Sequence, residues 1–159
     1  MNKSHIPAAQ KSVLSQLIDD HRKVSTLLKK FKREKASNQK QQAANEACTA
    51  ITVHIEIEEG LFYPFLRDRD ARVFDDLLDE ALVEHGNVKN LIEKIMNMSA
   101  DNRLYEASVR VLGERVAHHV KEEEELLFPK IISKNVDLRE LIEPMEKRRQ
   151  HVLVGKVTA

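Results

Sequence analysis

The sequence predicts an all-α protein: an up-down-up-down four-helix bundle followed by a short C-terminal fifth helix. Three observations predict it. The chain has only 4 Gly and 4 Pro in 159 residues and is rich in Lys, Glu, Leu and Ala, which favours long helices over a turn-dense sheet fold. Its apolar residues recur at alternating steps of three and four, the period of one helix face. The links between the periodic segments are short and polar, so sequential helices run antiparallel.

The first segment carries Leu14, Leu17, His21, Val24, Leu28 and Phe31 on one stripe. The second carries Ala44, Ala47, Ile51, His54, Glu58, Leu61 and Phe65; the third Phe74, Leu78, Ala81, His85, Val88, Ile92 and Ile95; the fourth Val109, Leu112, Val116, His119, Glu123 and Leu126. The links are "KASN" near Ala36, "RDRD" from Arg67 to Asp70 and "MSADN" from Met98 to Asn102. Asn38 with Gln41, and Asp137 with Glu140, have the spacing of capping boxes. Pro64 and Pro129 lie late in the second and fourth segments, where each removes a backbone donor and should kink or end its helix. Residues 137 to 155 read as a fifth helix interrupted by Pro144, with the apolar "HVLV" at His151 to Val154 placed to cover one end of the bundle or to meet a partner. The whole of 1–159 reads as a single domain, with the bundle over about 10–134 and a helix and tail over about 137–159.

The balance of 26 basic and 26 acidic residues gives no global field toward nucleic acid or a membrane surface. "LKKFKREK" (Leu28 to Lys35) and "EKRRQH" (Glu146 to His151) read first as solvated helix surfaces. The single Cys48 excludes an internal disulfide, "MNKSHIPAAQ" lacks the apolar core of a signal peptide, and no apolar run spans a bilayer. A soluble, cytoplasmic protein is expected.

The second and fourth segments share a device. "HIEIEEGLFYPFL" from His54 and "HVKEEEELLFPKI" from His119 coincide in His, in Glu at the fourth place after it, and in the following Leu and Pro. A lone histidine precedes each, His21 by 33 residues and His85 by 34, so the halves look like copies. In a helix, His and Glu four apart share a face and converge on one object. Four helices would then turn four imidazoles and two carboxylates into a common interior. Burying an uncompensated carboxylate costs several kcal/mol or forces protonation. A buried cation is the simplest compensation, with neutral imidazoles as co-ligands. Imidazole and carboxylate without thiolate suit iron, manganese or zinc. His118 also has a Glu one turn on, but its stripe runs through Arg115 and Glu125, so His119 is expected to face inward.

Over residues 10 to 134 the chain resembles the hemerythrin-like HHE cation-binding domains, through "DDHRKV", "HIEIEEGLFYP", "EHGNVKNLI" and "HHVKEEEELLFP". The resemblance implies two non-haem iron ions with an oxo or hydroxo bridge, ligated by His21, His54, Glu58, His85, His119 and Glu123, with the glutamates bridging. Oxygen-carrying members have a further histidine one turn after the third-helix His, where this chain has Lys89. That departure favours reaction with a small oxidant or gas, namely peroxide, nitric oxide or oxygen, in oxidative or nitrosative stress. Reversible oxygen binding or sensing, and iron storage or delivery, are the alternatives. A protein electron donor is an expected partner; nucleic acid and membrane are not. Glu56, Tyr63, Glu84 and Lys89 are further candidates for the site, each read first as a rim or packing residue.

Overall fold

The computed structural model describes residues 1–158, and among them it contains helices and no strand. A 3₁₀ turn at Lys3–His5 leads into α1 (Ala8–Arg33) and α2 (Ser37–Ile57), which passes through a π-helical turn (Glu58–Phe62) into α3 (Tyr63–Met96). Next come α4 (Tyr105–Glu122), a second π-helical turn (Glu123–Leu127), α5 (Phe128–Ser133), a 3₁₀ turn (Arg139–Leu141) and α6 (Ile142–Thr158). Ala159, the end of the expected tail, lies outside the described residues.

These helices build the four arms of a bundle. The turn expected over Arg67–Asp70 is a single extended residue inside α3, Asp70 (φ −160°, ψ 87°). Its Oδ1 accepts from Val73 N–H at 3.3 Å, starting the third arm. Arg67 reaches across the bend to Asp75 at 2.7 Å and Asp79 at 2.8 Å.

Two buried clusters show the alternating direction. One gathers Leu14 and Leu17 of α1, Ile57 of α2, Phe74 and Leu78 of α3, and Leu127 and Phe128 of the fourth arm. The other gathers Val24 and Phe31, Ala44 and Cys48, Val88 and Ile95, and Tyr105 and Val109. Successive arms enter the two clusters in opposite order, the antiparallel arrangement. The first cluster is closed from below by Leu138, Leu141 and Met145.

Several local expectations change. Glu58 and Glu123 each open a π turn: Tyr63 N–H donates to Glu58 O and Phe128 N–H to Glu123 O, five residues back. The prolines one residue later have no N–H to give, and in an α-helix their rings would press on the carbonyl four residues before. The inserted residue relieves that contact and rotates everything beyond it by about 100°. Hence Phe62, Leu66 and Leu127 are fully buried where Leu61, Phe65 and Leu126 were expected, and Leu126 is 52% exposed.

Neither capping box forms. The helix begins at Ser37 and Asn38 accepts only from Gln39 N–H, while Asp137 accepts from Arg139 N–H and pairs with its guanidinium. Pro144 does not interrupt α6; it sits in the first turn, where a backbone donor is not needed. Val152 packs on the first cluster, whereas Leu153 and Val154 are exposed.

Candidate metal centre

The four histidines lie where the two apolar clusters meet, one from each arm. His21, His54, His85, His119, Glu58 and Glu123 are all buried, at 0 to 7% exposure, within an otherwise apolar interior. His54 and Glu58 converge because they are one helical turn apart, with His54 Nε2 2.7 Å from Glu58 Oε1; His119 Nε2 lies 3.4 Å from Glu123 Oε1.

The carboxylates are shared between two histidine pairs. Glu58 turns Oε1 to His54 and Oε2 to His85, at 3.1 Å, and to His119, at 3.8 Å. Glu123 turns Oε2 to His21 at 3.2 Å and Oε1 to His119. His21, His54, Glu58 and Glu123 therefore offer ligand atoms all within 4.8 Å of one another, and Glu58, His85 and His119 offer a second such set. His85 Nε2 and His119 Nε2 are 3.1 Å apart, aimed at one point. These are two potential metal-binding clusters joined by glutamate.

The donor set fits a cation. His21 Nε2, His54 Nε2, Glu58 Oε1 and Glu123 Oε2 are buried side-chain atoms without a well-formed hydrogen bond. Orphaned polar atoms at this depth call for a compensating ligand. Without metal, protons serve instead. Burial alone would lower the His54 pKa, yet Glu58 and Asp20 raise it to about 10; His119 likewise rises to about 11 against burial, through Glu123 and Glu58. Burial raises the carboxyl pKa of Glu58, but His54 and its hydrogen-bonding imidazoles hold it well below the ordinary range. Glu123 is held at about 2 by His119 and His21, against burial and the charge of Glu58.

Behind each imidazole stands a carboxylate. Asp20 meets His54 Nδ1 at 3.0 Å, Glu59 meets His85 Nδ1 at 3.0 Å and Glu124 meets His21 Nδ1 at 3.2 Å, while Glu84 Oε1 stands 3.5 Å from His119 Nδ1 without forming a hydrogen bond. Each is a sequence neighbour of one site residue but serves a histidine on the next arm, so the contacts close a ring around the bundle. Such partners fix the imidazole proton on Nδ1 and aim the Nε2 lone pair inward. Three of them carry a cation in turn: Arg149 of α6 grips both oxygens of Asp20 at 2.9 Å, Lys89 pairs with Glu59 at 2.6 Å, and the N-terminal amine of Met1 pairs with Glu124 at 2.9 Å. Glu84 is the exception; burial and then Glu122 raise its pKa.

Reading from sequence missed Asp20, Glu59 and Glu124. Their only local signal is an acidic residue beside a site residue, at Asp20-His21, Glu58-Glu59 and Glu123-Glu124. Two of the further candidates reach the cluster: Glu84 lies at its edge, beside His119, and Tyr63 lies at its centre. The Tyr63 hydroxyl, fully buried, donates toward Glu123 Oε1 at 2.6 Å and Glu58 Oε2 at 3.0 Å, and lies 3.5 Å from His85 Nε2. Burial and the two carboxylates push its pKa well up, so it remains a phenol. Lys89 stays at the rim, half-exposed on Glu59, and Glu56 is exposed. His118 points outward, 65% exposed, toward Glu122 at 3.1 Å.

On the side away from Tyr63 the imidazoles border a chamber of about 20 Å³, walled by Val24, Ile51, Ile55, Val88, Val116 and Val120. About 10–15 Å³ suffices for one water, so the chamber takes a molecule of a few atoms.

Comparisons with known proteins agree with this architecture. A solved hemerythrin HHE cation-binding domain-containing protein from Mycobacterium kansasii superposes with a TM-score of 0.73 over 89% of this chain and 87% of that one, at 21% identity. A DNA nickase from Nostoc sp. is 29% identical over 112 residues, 70% of this chain, and the chain spans only 31% of that protein. The family profile described as the hemerythrin HHE cation binding domain matches residues 12–131. With the paired histidine–glutamate repeat on these residues, the chain belongs to the hemerythrin HHE cation-binding domain family.

Proposed function

We propose that the protein is a non-haem di-iron protein that reacts with a small oxidant or gas, with decomposition of peroxide or reduction of nitric oxide favoured over reversible oxygen carriage. His21 and His54 would hold one iron and His85 and His119 the other, with Glu58 and Glu123 offering a carboxylate oxygen to each pair. The sharing of each carboxylate between the two histidine pairs carries this reading. Two bound irons would supply two one-electron equivalents and a pair of Lewis-acid positions.

The chain's own residues do the rest. The ring of Asp20, Glu59, Glu84 and Glu124 holds the imidazoles in one orientation and makes them more basic ligands. Tyr63 holds the inner oxygens of Glu58 and Glu123 in place from below. The valine and isoleucine walls make the chamber apolar, and its volume of about 20 Å³ restricts what it holds to small molecules. Lys89, by pairing with Glu59 instead of adding a fifth imidazole, leaves both histidine pairs alike, which supports reaction at both metals over capture of oxygen at one.

The centre does not suit the DNA substrate named for the Nostoc relative. A phosphodiester on a DNA duplex is too large for a centre at this depth, whose six residues are each at most 7% exposed.

Iron analysis after growth with ample iron should give two per chain, and the reduced protein should consume hydrogen peroxide or nitric oxide, with Glu58→Ala inactive. Lys89→His tests whether a fifth imidazole restores carriage. One tightly bound zinc per chain would overturn the di-iron reading. A stable oxygen complex that releases oxygen intact under vacuum, without turnover of peroxide or nitric oxide, would make carriage the better function.

A further inference from the structure

A second, larger cavity adjoins the chamber. Between α1 and α4 lies an open groove of about 700 Å³. That volume falls within the usual range of small-molecule sites, about 300–1,000 Å³. Its floor is apolar, with Leu28, Val109, Val116, Ala117 and Val120; its rim is charged. His21, Val24, Val116 and Val120 line both the groove and the metal-side chamber, so the two share a wall.

Two features give the groove a chemistry. Of its rim charges, Lys40 is occupied, with Glu106 at 3.3 Å and over the Phe31 ring at 4.4 Å, closing the far end. Lys29, Lys32 and Arg110 have no ion-pair partner among the described residues, and face one similarly unpaired carboxylate, Glu114. The second feature is Gly113, in mid-α4 on the groove wall. A helix-interior glycine costs ~0.5–1 kcal/mol relative to alanine. Packing does not demand it here, since a Cβ would meet only Leu28 Cδ1, at an ordinary 3.6 Å. Its absence widens the groove at mid-length.

We propose that the α1–α4 groove binds a single-chain anionic amphiphile of the fatty-acid class. The carboxylate lies among Lys29, Lys32 and Arg110, and the chain runs along the valine floor toward the wall of the metal chamber. α4 rises about 1.5 Å per residue, so the floor from Glu106 to Val120 is on the order of 20 Å long, suited to an extended acyl chain. The proposal does not depend on the identity of the metal.

Dodecanoate, dodecyltrimethylammonium and butyrate are titrated into the full chain, both metal-loaded and chelated, by calorimetry. Dodecanoate should saturate at one per chain in both forms, while the same chain with a cationic head and the short anion should not bind. Lys32→Glu with Arg110→Glu should weaken dodecanoate by about tenfold or more, the loss of charge-assisted contacts. Gly113→Phe should abolish binding without lowering the melting temperature; should that variant misfold, Gly113→Leu and the charge reversal carry the test. Equal binding of both dodecyl compounds, or dodecanoate binding untouched by these variants, overturns the proposal. So does a concentration-dependent dimer lost on filling the groove, since a second copy would then be its occupant.

Discussion

Replacing Tyr63 with phenylalanine removes one hydroxyl from the centre of the molecule and nothing else. That hydroxyl is the neutral donor to Glu123 Oε1 (2.6 Å) and Glu58 Oε2 (3.0 Å), and all three residues are almost fully buried. A hydrogen bond to a charged group contributes about 1.5–3 kcal/mol, and here solvent does not replace it. For a protein of this size that corresponds to a fall of about 3–12 °C in the melting temperature of the chelated protein. In the metal-loaded protein the same oxygens have a cation, so the loss should shrink to ~1 kcal/mol, the worth of an ordinary hydrogen bond. The thermodynamic cycle then requires Tyr63→Phe to bind metal more tightly, by about 2- to 30-fold. Thermal melts of both proteins in both forms, with a competitive metal titration, measure each side of the cycle. Equal destabilisation with and without metal would show that the oxygens under Tyr63 are not those facing the cation.

Three further outcomes follow from the same geometry. In chelated protein, His54 and His119 have raised pKa values, so their stabilisation is full below about 6.5 and is lost as pH rises through about 10 and 11. Glu58 and Glu123 have lowered values, so theirs is full above about 4.5 and is lost as pH falls below it, for Glu123 through about 2. The melting temperature should therefore peak between pH 4.5 and 6.5, and one still rising from pH 7 to 9 would contradict these assignments. His119→Ala should remove most of the metal while His118→Ala leaves it, because His118 is 65% exposed and faces Glu122; metal content of the two purified variants decides. Asp20→Asn should weaken metal binding at the His21–His54 pair by about 10–100-fold, and an unchanged competition curve would mean that Asp20 does not act through His54.

Features that are local or periodic are legible in the sequence alone. Helices need only neighbours three and four residues apart, so the four amphipathic arms were legible, as was the repeat that places His54 with Glu58 and His119 with Glu123 on shared faces. The stripes of α1 and of the third arm held along their length for the same reason. Register and partnership depend on how the arms pack. The π turns at Glu58 and Glu123 rotate the helices beyond them, burying Leu127 in place of Leu126; Pro64 and Pro129 announced a disturbance, but nothing local distinguishes a kink from an inserted residue. The carboxylate ring lay beyond reach of periodicity, because Asp20, Glu59, Glu84 and Glu124 each sit beside one site residue and face a histidine on another arm. Tyr63 is the sharpest case. The rotation within its π turn brings its hydroxyl beneath both carboxylates, although Glu123 lies 60 residues away in the chain, and a contact across that separation is set by how the arms pack.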